Sequence, residues 1–386
     1  MNYPNSPLTN QEDLKEGNEK QGLSVLLPTI ARNNLIDSTL ESIVPQLSAE
    51  DELVISLNVP KSSVDEISAR LRRLIVSIGT IKFRFIVPPR PMKIFEHWNF
   101  IFRSASRDQI VFIHDDEIYR SNLLKIAREE FSSAPDVSLV VGGQLKVYAN
   151  RHTGVVASLE RHFDEKRTFD GRLWIRSQEK FDIPKFGATA YMFRRTSEAF
   201  WFLEDNTRIS DALLLYHQAF RGKVVERPEI FGTYLQYSSN STLTDTLEAN
   251  HNPYWRALKK MGQLEYEEQL IDNSEKVRIL SIRNYSACAL NAAIPLRDKI
   301  GYDECLNQIR LAGGNVTGIL SIIDRLPGKW IYMPPIMSVL KKLYRRLGAG
   351  KLPNNAGSSS TMISEILDLP LALVESFRAR AQENAR

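Results

Sequence analysis

The chain has little cysteine: Cys288 and Cys305 are the only two in 386 residues. They make no disulfide framework and lack the paired spacing of a structural zinc site, so a reducing, cytoplasmic setting is the expectation. Long apolar runs are missing as well; none reaches the roughly eighteen residues that a spanning helix needs. The opening segment MNYPNSPLTNQEDLKEGNEK has no apolar stretch, so no signal peptide is expected and residues 1–21 read as a disordered tail. Excess charge of one sign is absent too. Lys plus Arg number 50 against 46 Asp plus Glu, a balance too even to make nucleic acid the main partner. No Gly-x-Gly-x-x-Gly follows a strand and no Gly-x-x-x-x-Gly-Lys-Ser/Thr occurs, so dinucleotide and P-loop modes of phosphate binding are unsupported.

What is present is a regular alternation. LSVLLP (23–28), ELVISL (52–57), IKFRFIV (81–87) and IVFI (110–113) read as buried strands, and helical stripes separate them: Leu35 to Val44, Val64 to Ile75 and Phe95 to Ala105. Strands apolar on both faces with intervening helices imply a mostly parallel α/β sheet covered by helices, whose ligands bind beyond the carboxyl ends of the strands. Further along, a helix at 121–131, strands at 137–142, 144–149 and 188–193, and strand-like segments near Val224 and at 231–237 complete a domain spanning 22–248, with a loop-rich stretch from 150 to 184. Strand signals then fade. Residues 249–352 read as a helical region, and 353–386 as a linker, PNNAGSSST, followed by one amphipathic helix from Ser364.

At the carboxyl end of the fourth strand stands His114-Asp115-Asp116-Glu117. Three adjacent carboxylates cannot all be buried and ionised without a counter-charge. Hard oxygen donors suit Mg²⁺ or Mn²⁺, ions that complete their shells with water and substrate phosphates, which points to a nucleotide diphosphate. The plainer alternative is a solvated turn that caps the next helix. For His114, a structural role stands beside metal or phosphate contact.

SVLLPTIARNNLIDSTLESIVPQ, ELVISLN and PMKIFEHWNFIFRSASRDQIVFIHDDE, in that order, resemble the family 2 glycosyltransferases of the GT-A fold, over residues 23–245. The resemblance implies a GT-A-like Rossmann-type sheet with a mainly helical C-terminal extension, and a metal-dependent, inverting transfer of a sugar from a UDP, GDP or dTDP donor to a glycan or lipid-linked glycan hydroxyl, as in bacterial surface polysaccharide synthesis. It places Pro28, Thr29 and Arg32 along the nucleotide, Asp115, Asp116 and Glu117 at the metal with Asp115 and Asp116 facing the diphosphate, and Lys93, His97 and Asn99 among the donor contacts. The family's base-binding Asp is replaced by Leu57-Asn58, where Asn58 takes its place.

For the acceptor half, the resemblance puts the catalytic base in RISDALLLYHQAF at Asp211, with Glu204 and Asp205 as competitors; Ser210 or Asp211 also suits a helix cap. FGATAYMFRR (186–195) matches the acceptor-side strand, its Gly187 and Ala188 allowing close approach, while Arg194 and Arg195 either neutralise a phosphate or face solvent. Tyr234, Gln236 and 237–241 stand where the family closes a loop over the diphosphate. KWIYMPPIMSVLKKLYRRLG (329–348) is basic, aromatic and amphipathic; it either lies peripherally in a membrane headgroup region or packs on the core. Two other classes compete with this reading. Sugar nucleotidylyltransferases need a glycine-rich loop that PTIARNN lacks, and a noncatalytic glycan-binding protein on a degenerate transferase fold is the second.

Overall fold

The computed structural model describes residues 22–31, 34–150, 154–161, 163–177, 190–195, 214–215, 218–236 and 360–384, with isolated positions between 303 and 315. The expected tail at 1–21 and nearly all of the helical region at 249–352 lie outside these residues.

The alternation expected from the sequence is the one found: β1 (Leu23–Thr29), α1 (Leu35–Ile43), β2 (Glu52–Leu57), α2 (Val64–Ile78), β3 (Phe83–Ile86), α3 (Ile94–Arg103), β4 (Gln109–Ile113) and α4 (Leu123–Ser133). There follow β5 (Val137–Asn150), β6 (Gly154–Arg161), β7 (Arg167–Asp170), α5 (Gly171–Ser177), β8 (Ala190–Arg194) and β9 (Lys223–Gln236). Among the described residues these strands form one sheet in the order β3-β2-β1-β4-β8-β5-β9-β7, with β6 on β5. The β3-β2-β1-β4 half is parallel, β8 runs antiparallel between β4 and β5, and β5 and β9 are parallel.

Successive residues of β1 point to opposite faces, and both faces are covered. Leu26 packs with Phe102 of α3, Phe112 and Trp174 of α5; Leu27 packs with Ile36 and Leu40 of α1, Leu71 of α2 and Phe131 of α4. That two-sided burial is why these strands are continuous apolar runs.

Several expectations need correction. The two strands at 137–142 and 144–149 are a single strand, because Gly142-Gly143 makes an irregularity in its ladder with β9 and not a turn. A Cβ on Gly142 would lie 2.5 Å from the Phe231 ring, so glycine is needed for the strands to approach. The segments near Val224 and Phe231 are likewise one strand; its ladder with β5 passes from Glu226 to Ile230, and Pro228, which has no N–H to give, lies in the skipped stretch. The loop-rich stretch holds β6, β7 and α5. At the C-terminus the single helix is a hairpin, α6 (Ser360–Leu367) and α7 (Leu371–Asn384), broken at Asp368-Leu369-Pro370. Ile363, Leu367, Val374 and Phe377 are buried against Leu35, Ile118, Leu145 and Val147, so the hairpin is part of the same core as the sheet.

Candidate active site

The strand order reverses between β1 and β4, and it is there that an open α/β sheet leaves a crevice at its carboxyl edge. The β1–β4 ladder stops at Leu26 opposite Phe112, while β1 continues beside β2 as far as Thr29 opposite Leu57. Pro28 brings no N–H to extend the β4 side. Beyond it the Thr29 hydroxyl donates to a carboxylate oxygen of Asp115, linking the ends of the two strands. Thr29 Oγ1 also accepts the Ala31 N–H at 2.8 Å, and Ala31 takes a left-handed φ of 50°. Ile30 between them is partly exposed. Arg32 lies outside the described residues.

The acidic run separates into two environments. Asp115 and Asp116 occupy a half-buried turn, whereas Glu117 is 2% exposed and faces inward, its carboxylate 3.2 Å from the Tyr119 phenol. Burial, with repulsion from Asp116, holds Glu117 well above the ordinary carboxylate range, against a smaller opposing effect of the Tyr119 hydrogen bond. Thus the run need not carry three adjacent charges. Burial and Glu117 push the Tyr119 phenol up in turn, and its oxygen accepts the His114 N–H at 2.7 Å. The His114 ring packs against Trp98 and Phe112, with centroids 5.1 and 5.5 Å away.

Three polar side chains from α1 and its C-terminal turn hold the segment that follows. Thr39 donates to the Glu117 carbonyl at 2.6 Å, Ser42 accepts the Tyr119 N–H at 3.2 Å, and Gln46 donates to the Arg120 carbonyl at 2.8 Å. On the other side Tyr119 bridges Gly232 of β9, and Thr233 exchanges hydrogen bonds with the Ile118 backbone at 3.1 and 3.0 Å. A Cβ on Gly232 would lie 2.8 Å from the Ile118 carbonyl, so that crossing requires glycine.

Asn58 donates its backbone N–H to the Thr29 carbonyl at 2.9 Å, and its amide is engaged at both ends with Met92, donating to the carbonyl at 2.8 Å and accepting the N–H at 3.1 Å. Asn58, expected at the nucleoside, therefore fastens the loop before α3. Lys93 is exposed at the head of α3. His97 and Asn99 point inward, 3% and 1% exposed; the His97 ring meets the Ser56 hydroxyl at 2.8 Å, and burial lowers its pKa to about 4.

β8, the strand expected to face the acceptor, runs opposite to β4, with Ala190 opposite Ile113 beside the acidic turn and Arg194 opposite Gln109 at the far end. Arg194 and Arg195 thus stand away from the crevice, and neither simply faces solvent. Arg194 donates to the Phe131 and Val137 carbonyls, and Arg195 to the Ala105 carbonyl and Asp108. Tyr234 on β9 has the Lys146 ammonium 5.8 Å from its ring centre. Gly187, Ala188, Glu204, Asp205, Ser210, Asp211, residues 237–241 and the segment 329–348 all lie outside the described residues.

Among the described residues no three His, Cys, Asp or Glu side chains converge as a ready cation site. The donor set still fits a hard cation of the Mg²⁺ or Mn²⁺ type, since such ions are usually held by one or two carboxylates plus water and substrate phosphates, and Asp115 and Asp116 share one turn at the crevice.

Tyr119, Thr39, Ser42 and Gln46 carry no sequence motif of their own, and the docking of the C-terminal hairpin has none either. One signal was available: Thr39 falls between Ile36, Leu40 and Ile43 on the buried stripe of α1, where a hydroxyl needs a partner.

The fold is shared with residues 1–349 of TarS from S. aureus, solved with UDP-GlcNAc, at a TM-score of 0.52 and 13% identity over 93% of this chain and 92% of that one. The same TarS region with UDP gives a TM-score of 0.47 at 13% identity over 93% and 92% of the two chains. The mannosyltransferase PcManGT from Pyrobaculum calidifontis, solved with GDP-Man and Mn²⁺, gives 0.45 at 11% identity over 94% and 88%. No protein-family profile and no curated protein matches the chain. At these identities the likeness is one of fold, and that fold is the GT-A-like class expected from the sequence.

Proposed function

We propose that this chain is a metal-dependent, inverting glycosyltransferase that moves a hexosyl group from a nucleotide diphosphate donor to a hydroxyl of a glycan or lipid-linked glycan, in synthesis of a bacterial surface polysaccharide at the cytoplasmic face of the membrane. One observation carries the reading: Thr29 and Asp115 meet across the crevice where the strand order reverses, so the loop suited to a nucleoside adjoins the carboxylates suited to a diphosphate-bound cation. TarS, which shares the fold, binds UDP-GlcNAc, and this supports a nucleotide-sugar donor of the UDP, GDP or dTDP type.

In this reading Asp115 and Asp116 are the residues that would hold Mn²⁺ or Mg²⁺. Glu117, the third acidic residue, turns inward to Tyr119 and fixes the turn from beneath. A cation held there would neutralise charge on the departing diphosphate. The loop of Pro28, Thr29 and Arg32 lies along the nucleoside, Asn58 shapes that pocket through Met92, and Lys93 and Asn99 serve the donor. The Asp211 carboxylate takes the proton of the acceptor hydroxyl. That oxygen then bonds to the anomeric carbon on the face opposite the diphosphate, the bond from carbon to diphosphate oxygen breaks, and the configuration inverts. Segment 329–348 provides a peripheral contact with anionic headgroups, suited to a lipid-linked acceptor.

Calorimetry with UDP, GDP and dTDP, each with and without Mn²⁺, tests the core of this. One nucleotide should bind, more tightly with Mn²⁺, and Asp116→Ala should remove the Mn²⁺ enhancement. Absence of nucleotide binding, or binding indifferent to Mn²⁺, refutes the reading.

A further inference from the structure

The C-terminal hairpin packs against the segment that leaves the acidic turn. A helix end leaves backbone carbonyls without partners inside the helix. At the end of α6 two of them are taken by that segment: Arg120 donates to the Ile366 carbonyl at 2.8 Å, and the Ser121 N–H donates to the Leu367 carbonyl at 3.0 Å. A guanidinium at a helix C-terminus also suits the helix dipole. Asp368 closes the helix in the left-handed region, φ 52°, and its carboxylate accepts the Ser121 hydroxyl at 2.7 Å. Such a conformation is one that Asp and Asn tolerate better than other side chains.

The second helix reaches α1. Arg380 of α7 donates to the Ser38 hydroxyl at 2.5 Å and pairs with Glu41 at 3.4 Å, both on α1. α1 follows the β1 loop directly, and its Thr39 holds the Glu117 carbonyl. One buried cluster joins Leu35 of α1 and Ile118 of the acidic segment to Leu367, Val374 and Phe377 of the hairpin. The hairpin thus grips both chain segments that meet at Thr29 and Asp115.

We infer that the C-terminal hairpin is a positioning element of the donor site, holding the acidic turn in register with α1, so that hairpin docking and nucleotide diphosphate binding stabilise each other. This rests on the nucleotide-binding reading above. The coupling is reciprocal: whatever the docked hairpin adds to nucleotide affinity, bound nucleotide adds to docking.

The test uses the full chain with Asp368→Ala and Asp368→Asn. Asparagine keeps an acceptor for Ser121 and tolerates the left-handed backbone; alanine does neither. Amide exchange without nucleotide should quicken at 114–121 in Asp368→Ala and not in Asp368→Asn. In calorimetry with Mn²⁺ and the nucleotide that binds wild type, affinity should fall about fivefold in the alanine variant and recover in the asparagine variant. Nucleotide with Mn²⁺ should slow exchange across 360–384 in the wild type. Ser121→Ala removes the same hydrogen bond from the other side and serves where Asp368→Ala does not fold. Unchanged exchange at 114–121 overturns the inference, and so does a lowered melting temperature with unaltered nucleotide affinity, the mark of purely structural support. If wild type binds no nucleotide, the proposed function fails by that result, while the exchange measurement still decides whether the hairpin holds the turn.

Discussion

The Asn58 amide and the Met92 backbone form a closed pair, N–H to carbonyl at 2.8 Å and N–H to amide oxygen at 3.1 Å. An aspartate could accept the Met92 N–H but would set a second acceptor against the Met92 carbonyl. Asn58→Asp is therefore expected to loosen the loop between β3 and α3 and to cost about 1–2 kcal/mol of stability, through one lost hydrogen bond and one acceptor left without a donor. Amide exchange at 88–93 together with denaturant titration checks this; a loop as protected as in the wild type would return Asn58 to a direct nucleoside contact.

Thr29 links two parts of the site, accepting from the Ala31 N–H and donating to Asp115. Valine has nearly the same shape without the hydroxyl. Thr29→Val should leave the sheet intact and weaken nucleotide binding in the presence of Mn²⁺ about tenfold, because Asp115 loses the donor that orients it. Thr29→Ser should restore most of the loss. Equal affinities for all three chains, measured by calorimetry, would remove Thr29 from the site.

The strands that build the crevice were legible because each is apolar on both faces, and a sheet covered on both faces leaves such runs no other place. The acidic run was legible as a functional candidate for the converse reason, that adjacent charges at a buried strand end need an explanation. What sequence could not supply was the direction of each side chain. Nothing in His114-Asp115-Asp116-Glu117 says that Glu117 turns inward to a tyrosine two positions on, since the three carboxylates are alike until the turn sets them apart. Long-range partnership was equally hidden. Ile363, Leu367, Val374 and Phe377 form a readable apolar stripe, but its partners Leu35, Ile118 and Leu145 lie more than two hundred positions earlier. Gly142-Gly143 looked like a break between strands because a turn and a ladder irregularity use the same residue.

The proposed role of Asp211 as the base separates binding from chemistry. A base that removes the acceptor proton adds nothing to the donor's grip on Asp115 and Asp116. Asp211→Asn should therefore cut transfer by about 10²–10⁴-fold while nucleotide affinity with Mn²⁺ stays at the wild-type level. Both quantities are measured on the same preparation, turnover by nucleotide diphosphate release and affinity by calorimetry. Unaltered turnover would pass the role to Glu204 or Asp205.

His97 gives the fold a pH dependence with a definite sign. Its ring is buried against Ser56, and burial lowers its pKa from 6.5 to about 4. Above pH 6.5 the ring is neutral in the folded and unfolded chain alike and contributes no slope. Between 6.5 and about 4 the unfolded chain binds a proton that the folded one refuses, so stability falls as pH falls, by about 2 kcal/mol from pH 7 to pH 5. Glu117 acts the opposite way. Its raised pKa means that the folded chain keeps a proton the unfolded chain has released, so its contribution weakens stability as pH rises above 4.5. The two slopes partly cancel in the wild type, and the informative quantity is the difference between wild type and His97→Asn, which keeps a polar group near Ser56 and titrates nothing. That difference should shrink by about 2 kcal/mol on going from pH 7 to pH 5 in denaturant melts. A constant difference across that range would mean that His97 titrates in the folded protein as it does in water.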